Sequence, residues 1–121
     1  MEIRNLGTSG LRVSLVGLGC NNFGAKLDAN GTKAVVHAAI DAGITLFDTA
    51  DMYGGQGGSE KHLGAALGAR RKDIVLASKF GWEMDSEGKK RGASRGYIMQ
   101  AVEDSLRRLN TDWIDLYQLH K

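Results

Sequence analysis

Proline is missing from this 121-residue chain, where average composition would supply about six. Turns must be made without it, and 17 glycines are present to make them. Cysteine occurs once, at Cys20, which excludes an intrachain disulfide. No run approaches the roughly 18 consecutive apolar residues of a membrane-spanning helix. The opening residues, Met1-Glu2-Ile3-Arg4-Asn5, lack the apolar core of a secretory signal. Charge excess is missing too. Sixteen basic and 14 acidic side chains leave a formal net charge of +2. That balance gives no electrostatic reason to expect nucleic acid or an acidic membrane surface as partner. The one basic run, Lys89-Lys90-Arg91, lies between Gly88 and Gly92 and reads as a solvated loop. A soluble, cytoplasmic protein is the expectation.

The length suits one domain. It falls short of the roughly 200 residues that an eight-stranded α/β barrel needs. Within it an alternation is legible. Residues 3–6 and 11–13 flank Gly7-Thr8-Ser9-Gly10 and read as a β-hairpin. Four apolar runs follow as buried strands, at 15–18, 44–47, 74–78 and 113–119. Between them lie helix candidates. The first spans 32–42, with Asn30 as cap and Gly43 as stop. The second spans 59–67, capped by Ser59, with Glu60 at its positive end and Gly68 beyond. The third follows Ser94, with Ile98, Val102, Leu106 and Leu109 on one face and Asn110 as stop. Apolar strands separated by amphipathic helices argue a parallel sheet with helices packed on it.

The stretch Leu46-Phe47-Asp48-Thr49-Ala50-Asp51-Met52-Tyr53 organises the chain. A buried strand stops at Asp48, and a tyrosine follows five residues on, in a glycine-rich loop. Two later strands end in Lys79 and His120. In parallel α/β architectures, sites collect at the carboxyl ends of strands. Taken singly, each residue has a bland reading: a solvated lysine, a loop-capping aspartate, a packing tyrosine, an incidental histidine. Together on one rim they describe acid chemistry. A phenol is a weak acid at neutral pH, and a neighbouring ammonium stabilises its anion. Asp48 can hold that ammonium, and His120 can orient a substrate oxygen. This suits proton donation to an oxygen gaining negative charge, as in carbonyl reduction. Side chains cannot supply a hydride, so a nicotinamide cofactor is implied. Gly17-Leu18-Gly19-Cys20-Asn21-Asn22 begins like a dinucleotide fingerprint, but Asn22 stands at its third glycine, and the match fails.

These residues meet a known pattern. The segments 6–14, 17–24, 43–54, 59–64, 77–81 and 112–120 resemble the N-terminal half of the aldo-keto reductases, and the resemblance covers essentially the whole chain. It implies the fold class: an α/β parallel barrel of TIM type, here its first four strands, with the hairpin plugging the bottom. It implies Tyr53 as general acid, Lys79 and Asp48 as its support, and His120 as the residue that orients the carbonyl. It also implies NADPH beside Gly19, Cys20, Asn21 and Asp48, and a substrate pocket walled by Trp82 and Phe23. For Trp82, ordinary loop packing is the competing reading. No metal is implied.

The sequence stops at strand four, without the half in which that family places most of its cofactor clamp. Unpaired edges on strands one and four are expected to invite another chain. Three functions therefore stand side by side: a carbonyl reductase, a non-catalytic regulatory or binding subunit on the same scaffold, and an inactive fragment.

Overall fold

Residues 1–121 are all described by the structure, a computed structural model. The hairpin pairs β1 (Ile3–Asn5) with β2 (Arg12–Ser14), antiparallel. Four strands then form one parallel sheet in chain order: β3 (Gly17–Gly19), β4 (Leu46–Asp48), β5 (Val75–Phe80) and β6 (Leu116–Leu119). Helix α1 (Ala29–Asp41) joins the first pair. A single turn, α2 (Tyr53–Gln56), and α3 (Gly58–Leu67) lead into the next strand. A 3₁₀ helix (Gly68–Asp73) precedes β5, and α4 (Arg95–Leu109) precedes β6. No helix is long and apolar enough to cross a membrane.

The four strands of the parallel sheet each begin one to three residues later than expected, and for three of them the shift has a local cause. Leu15 and Val16 are half exposed; the Ser14 hydroxyl donates to the Val16 carbonyl and makes a turn there. Thr45 exchanges two hydrogen bonds with Ser14, through its own N–H and its hydroxyl oxygen. Pairing with β3 therefore starts only at Leu46. Before β6, the Asp115 carboxylate takes the Leu76 N–H at 2.8 Å, and Trp113 lies under the Arg71 guanidinium.

Helix starts also move. Asp28, not Asn30, caps α1, its carboxylate accepting from the Gly31 N–H at 2.8 Å. Ser59 is no cap: its hydroxyl is buried and donates to the Cys20 carbonyl. The caps of α4 are those expected, Ser94 accepting from the Tyr97 N–H and Asn110 in the left-handed region.

The sheet's two faces divide the labour, because strand side chains alternate. Phe47 and Leu76 point toward the helices, into a core with Val36, Leu63, Leu67 and Leu109. Burying side chains of this size stabilises by about 1.5–3 kcal/mol each. Asp48 and Lys79 lie on the other face, bonded to each other. Where α3 meets α4, Gly64 sits against the Leu109 backbone, and any side chain there would strike the Leu109 carbonyl.

Candidate active site

Tyr53 is presented by a turn that few residues could make. Gly54 and Gly55 both have positive φ, +73° and +76°, and a Cβ on Gly54 would overlap the Phe23 carbonyl and the Ser59 N–H. Glycine relieves both constraints. The phenol is thereby brought over the end of β5.

Lys79 is the centre of what it meets there. Its ammonium donates to Asp48 Oδ2 at 2.9 Å, to the Thr49 carbonyl at 3.0 Å and to the Tyr53 phenol oxygen at 3.4 Å. An ammonium has three protons to donate, so its donors are matched. The same nitrogen lies 4.9 Å from the Tyr53 ring centre. His120 follows β6, its N–H bonded to the Phe80 carbonyl. Its ring stands edge-on to Tyr53, at 5.6 Å between centres and 86° between planes. Trp82 stacks edge-on against the same imidazole at 6.1 Å. Burial, with the Lys79 charge second, pushes the His120 imidazolium below its ordinary range. Its Nδ1 is buried without a partner.

All four residues of the expected tetrad thus converge on one rim. The other expected residues divide. Gly19 and Asn21 are exposed at the end of β3, and Trp82 borders a cavity of about 540 Å³ with Met52, Gln56 and Arg91. Cys20 has no exposed surface; its thiol faces the core, where burial pushes it up to about 12. Only its backbone takes part near the rim, donating to the Asp48 carbonyl. Phe23, expected as a pocket wall, is 2% exposed and packs in the main core. Its carbonyl lies close to Gly54, while its ring is buried in the core.

Gln118 escaped notice in the sequence. Its amide donates to Asp48 Oδ1 at 3.4 Å, and it pairs in register with Lys79. The available signal was a lone polar residue two positions before His120, hence on the same strand face. The largest cavity, about 890 Å³, lies between Arg71, Arg107 and Trp113 at the other end of the strands and involves none of the four.

The sequence pattern of the Aldo/keto reductase family matches residues 15–121. The chain belongs to the aldo/keto reductase family. YqkF, an uncharacterised oxidoreductase of Bacillus subtilis, is 48% identical over 122 residues, spanning 99% of this chain and 39% of that protein. A probable voltage-gated potassium channel subunit beta of Oryza sativa subsp. japonica is 39% identical, over 100% of this chain and 38% of its own length. The solved holo form of aldo-keto reductase AKR11C1 from Bacillus halodurans superposes with a TM-score of 0.86 at 46% identity, over 98% of this chain and 40% of that one. The chain thus spans about two fifths of the length of these relatives. The four parallel strands are the family's barrel strands, and the tetrad occupies their carboxyl ends, where TIM-type barrels carry their sites.

Proposed function

We propose that this aldo/keto reductase reduces aldehydes or ketones to alcohols with NADPH, with Tyr53 as the acid. The observation that supports this reading most is the triple donation of Lys79. Because the ammonium donates to the phenol oxygen, the phenol's own proton is free to be given elsewhere. When Tyr53 passes that proton to a carbonyl oxygen, the remaining phenolate faces a cation already in place, and little reorganisation is needed. Asp48 fixes the cation from its other side. His120 is held as a neutral ring at neutral pH. With no acceptor at Nδ1, the ring proton belongs on Nε2, as a donor to the substrate oxygen.

The residues present fit one end of a nicotinamide cofactor. Asp48 gives Oδ2 to Lys79 and Oδ1 to Gln118, yet its side chain is 42% exposed. Lone pairs remain for a ribose hydroxyl. Gly19 adds open space on the same rim, with no atom nearer to its missing Cβ than Asn21 Oδ1 at 3.9 Å. Bound there in its reduced form, the cofactor would supply the hydride.

A second reading, a non-catalytic subunit, draws on the relative named as a potassium channel subunit. One experiment separates the two: NADPH titration of the purified chain, followed by turnover of a small aldehyde with wild type and Tyr53→Phe. Saturable binding, with turnover reduced at least about 10²-fold in the variant, supports the reductase. Binding without turnover supports the subunit. Absence of binding overturns both.

A further inference from the structure

Behind the rim, on the helix side of the sheet, lies a cluster of charge that the chemistry above does not use. Glu60 has no exposed surface. Its Oε1 accepts from Arg108 Nε at 2.8 Å, and its Oε2 accepts from the Ser78 hydroxyl at 2.8 Å. Asp51 is 1% exposed, and its Oδ1 has no hydrogen-bond partner. It opens on a cavity of about 200 Å³ shared with Gln56, Lys90, Tyr97, Asp104 and Arg108. The hydroxyl of Tyr117, from β6, is likewise buried and unpaired. A buried carboxylate with one oxygen unpartnered is costly unless it is neutralised.

The turn that carries Tyr53 is held at one end by the Asp51 backbone and at the other by a side chain of the cluster. The Asp51 N–H donates to the Lys79 carbonyl at 3.1 Å. At the far end, the Arg108 side chain presses on Gly57, where a Cβ would lie 2.8 Å from Arg108 Cδ. Ser78, which anchors Glu60, is the neighbour of Lys79 on β5. Through Arg108 on Gly57 and Ser78 on Glu60, this buried group of side chains touches the elements that bring Tyr53 and Lys79 together.

We propose that Asp51 is a positioning residue for Tyr53, and that a single proton on its carboxyl holds the Tyr53 turn in place against the Glu60–Arg108 pair. Burial and the neighbouring Glu60 carboxylate favour such a proton. Arg108 is already matched by Glu60, so an ionised Asp51 would be a second anion beside one guanidinium. Burial, with Glu60 second, raises the Asp51 carboxyl to about 7, against the Arg108 charge and hydrogen bonds from the Met52 and Asp51 backbone. Asp104, Arg108 and Tyr97 face it from α4, Glu60 from α3, Tyr117 from β6 and Lys90 from the loop. Loss of the proton would place two carboxylates in repulsion and loosen the turn. The inference rests on Tyr53 being the acid, but its test does not depend on turnover.

The test is a pH titration of tyrosine ring carbons by NMR, with the three tyrosines labelled at Cζ and Tyr53 identified by Tyr53→Phe. In wild type, Tyr53 is expected to step near pH 7, and Asp51→Asn, which imitates the protonated acid, should abolish that step. A separate step at lower pH, from His120, should remain in both. A step near pH 7 that persists in the variant overturns the proposal, as does its absence from wild type. Should Asp51→Asn fail to fold, carboxyl carbon labelling of aspartate in wild type, followed beside the Tyr53 signal, must give coincident midpoints; separate midpoints overturn it. Where turnover is measurable, the ratio of kcat in Asp51→Asn to kcat in wild type should rise about threefold between about pH 6 and pH 8, with KM unchanged. A wild type without turnover speaks against the reductase reading, and the NMR titration still decides this one.

Discussion

The Lys79 ammonium lies 3.4 Å from the Tyr53 hydroxyl oxygen, with Asp48 on its other side at 2.9 Å. The three groups come from β4, the turn after it and β5, so their meeting depends on register between two neighbouring strands. Replacing Lys79 by Met removes the cation while keeping the length of the stem. Turnover of a small aldehyde should fall by about 10²-fold or more, with the fall carried mainly by kcat. Steady-state kinetics over a range of aldehyde concentrations would show it, and an unchanged kcat would refute it.

Glu60 and Arg108 make a different kind of pair. Its carboxylate is fully buried, and the arginine side chain is 18% exposed. Glu60→Ala leaves the Arg108 guanidinium without its paired carboxylate and should cost about 3–5 kcal/mol. Glu2→Ala, which removes the exposed partner of Arg4, should cost less than about 1 kcal/mol. Urea unfolding of the two variants side by side gives the comparison; equal costs would mean that the buried pair does not brace α3 against α4.

Gly64 and Gly96 test close approach in the same helical layer. Gly64→Ala would drive a methyl into the Leu109 carbonyl and should destabilise by about 1–3 kcal/mol. Gly96 lies in α4 with open space around it. Gly96→Ala should be stabilising by up to about 1 kcal/mol, since it removes backbone freedom from the unfolded chain. Opposite shifts in the thermal midpoint are expected.

Helix α4 was legible because its signals are local: Ser94 and Asn110 cap it as their types suggest. The rim was legible for a related reason. Asp48, Lys79 and His120 are polar residues at the ends of apolar runs, and a parallel sheet gathers such ends. The strand starts were not legible. Apolar content says nothing about whether Ser14 has already taken the backbone groups of Thr45, or Asp115 the N–H of Leu76. Glu60 stands in the first turn of α3, as its type suggests, but its buried pairing was not legible, because its partner Arg108 lies 48 residues away. Phe23 was not legible as a core residue, because its aromatic type suits a pocket wall as well as the core in which it is buried.

His120 and Asp51 should tilt stability in opposite directions with pH. The folded state holds the His120 imidazolium below its ordinary 6.5, so the unfolded chain binds the extra proton first. Stability from this residue is complete above about pH 6.5 and is lost as pH falls through that window. Asp51 is raised from 3.8 to about 7, so the folded state keeps its proton longer. Its contribution is complete below about pH 4 and declines as pH rises to about 7. Unfolding free energies measured across this range should show the decline in wild type and lose it in Asp51→Asn.

Cys20 offers a readout of opening. Its thiol is without exposed surface and is pushed up to about 12, so thiolate is scarce and sheltered. Labelling by a thiol reagent should be slow in the native protein and quicken with added urea in step with unfolding. Rapid labelling without denaturant would mean that the loop after β3 opens on its own.

Adjacent positions on β5 serve opposite sides of the sheet: Ser78 bonds to Glu60 among the helices, and Lys79 bonds to Asp48 on the rim. This couples two kinds of inheritance. A point substitution at either position damages one face and spares the other. A one-residue insertion or deletion upstream within β5 would exchange the faces, sending the lysine toward the buried glutamate and the serine to the rim. In a lineage of such chains, side chains along this strand can drift, while its length cannot.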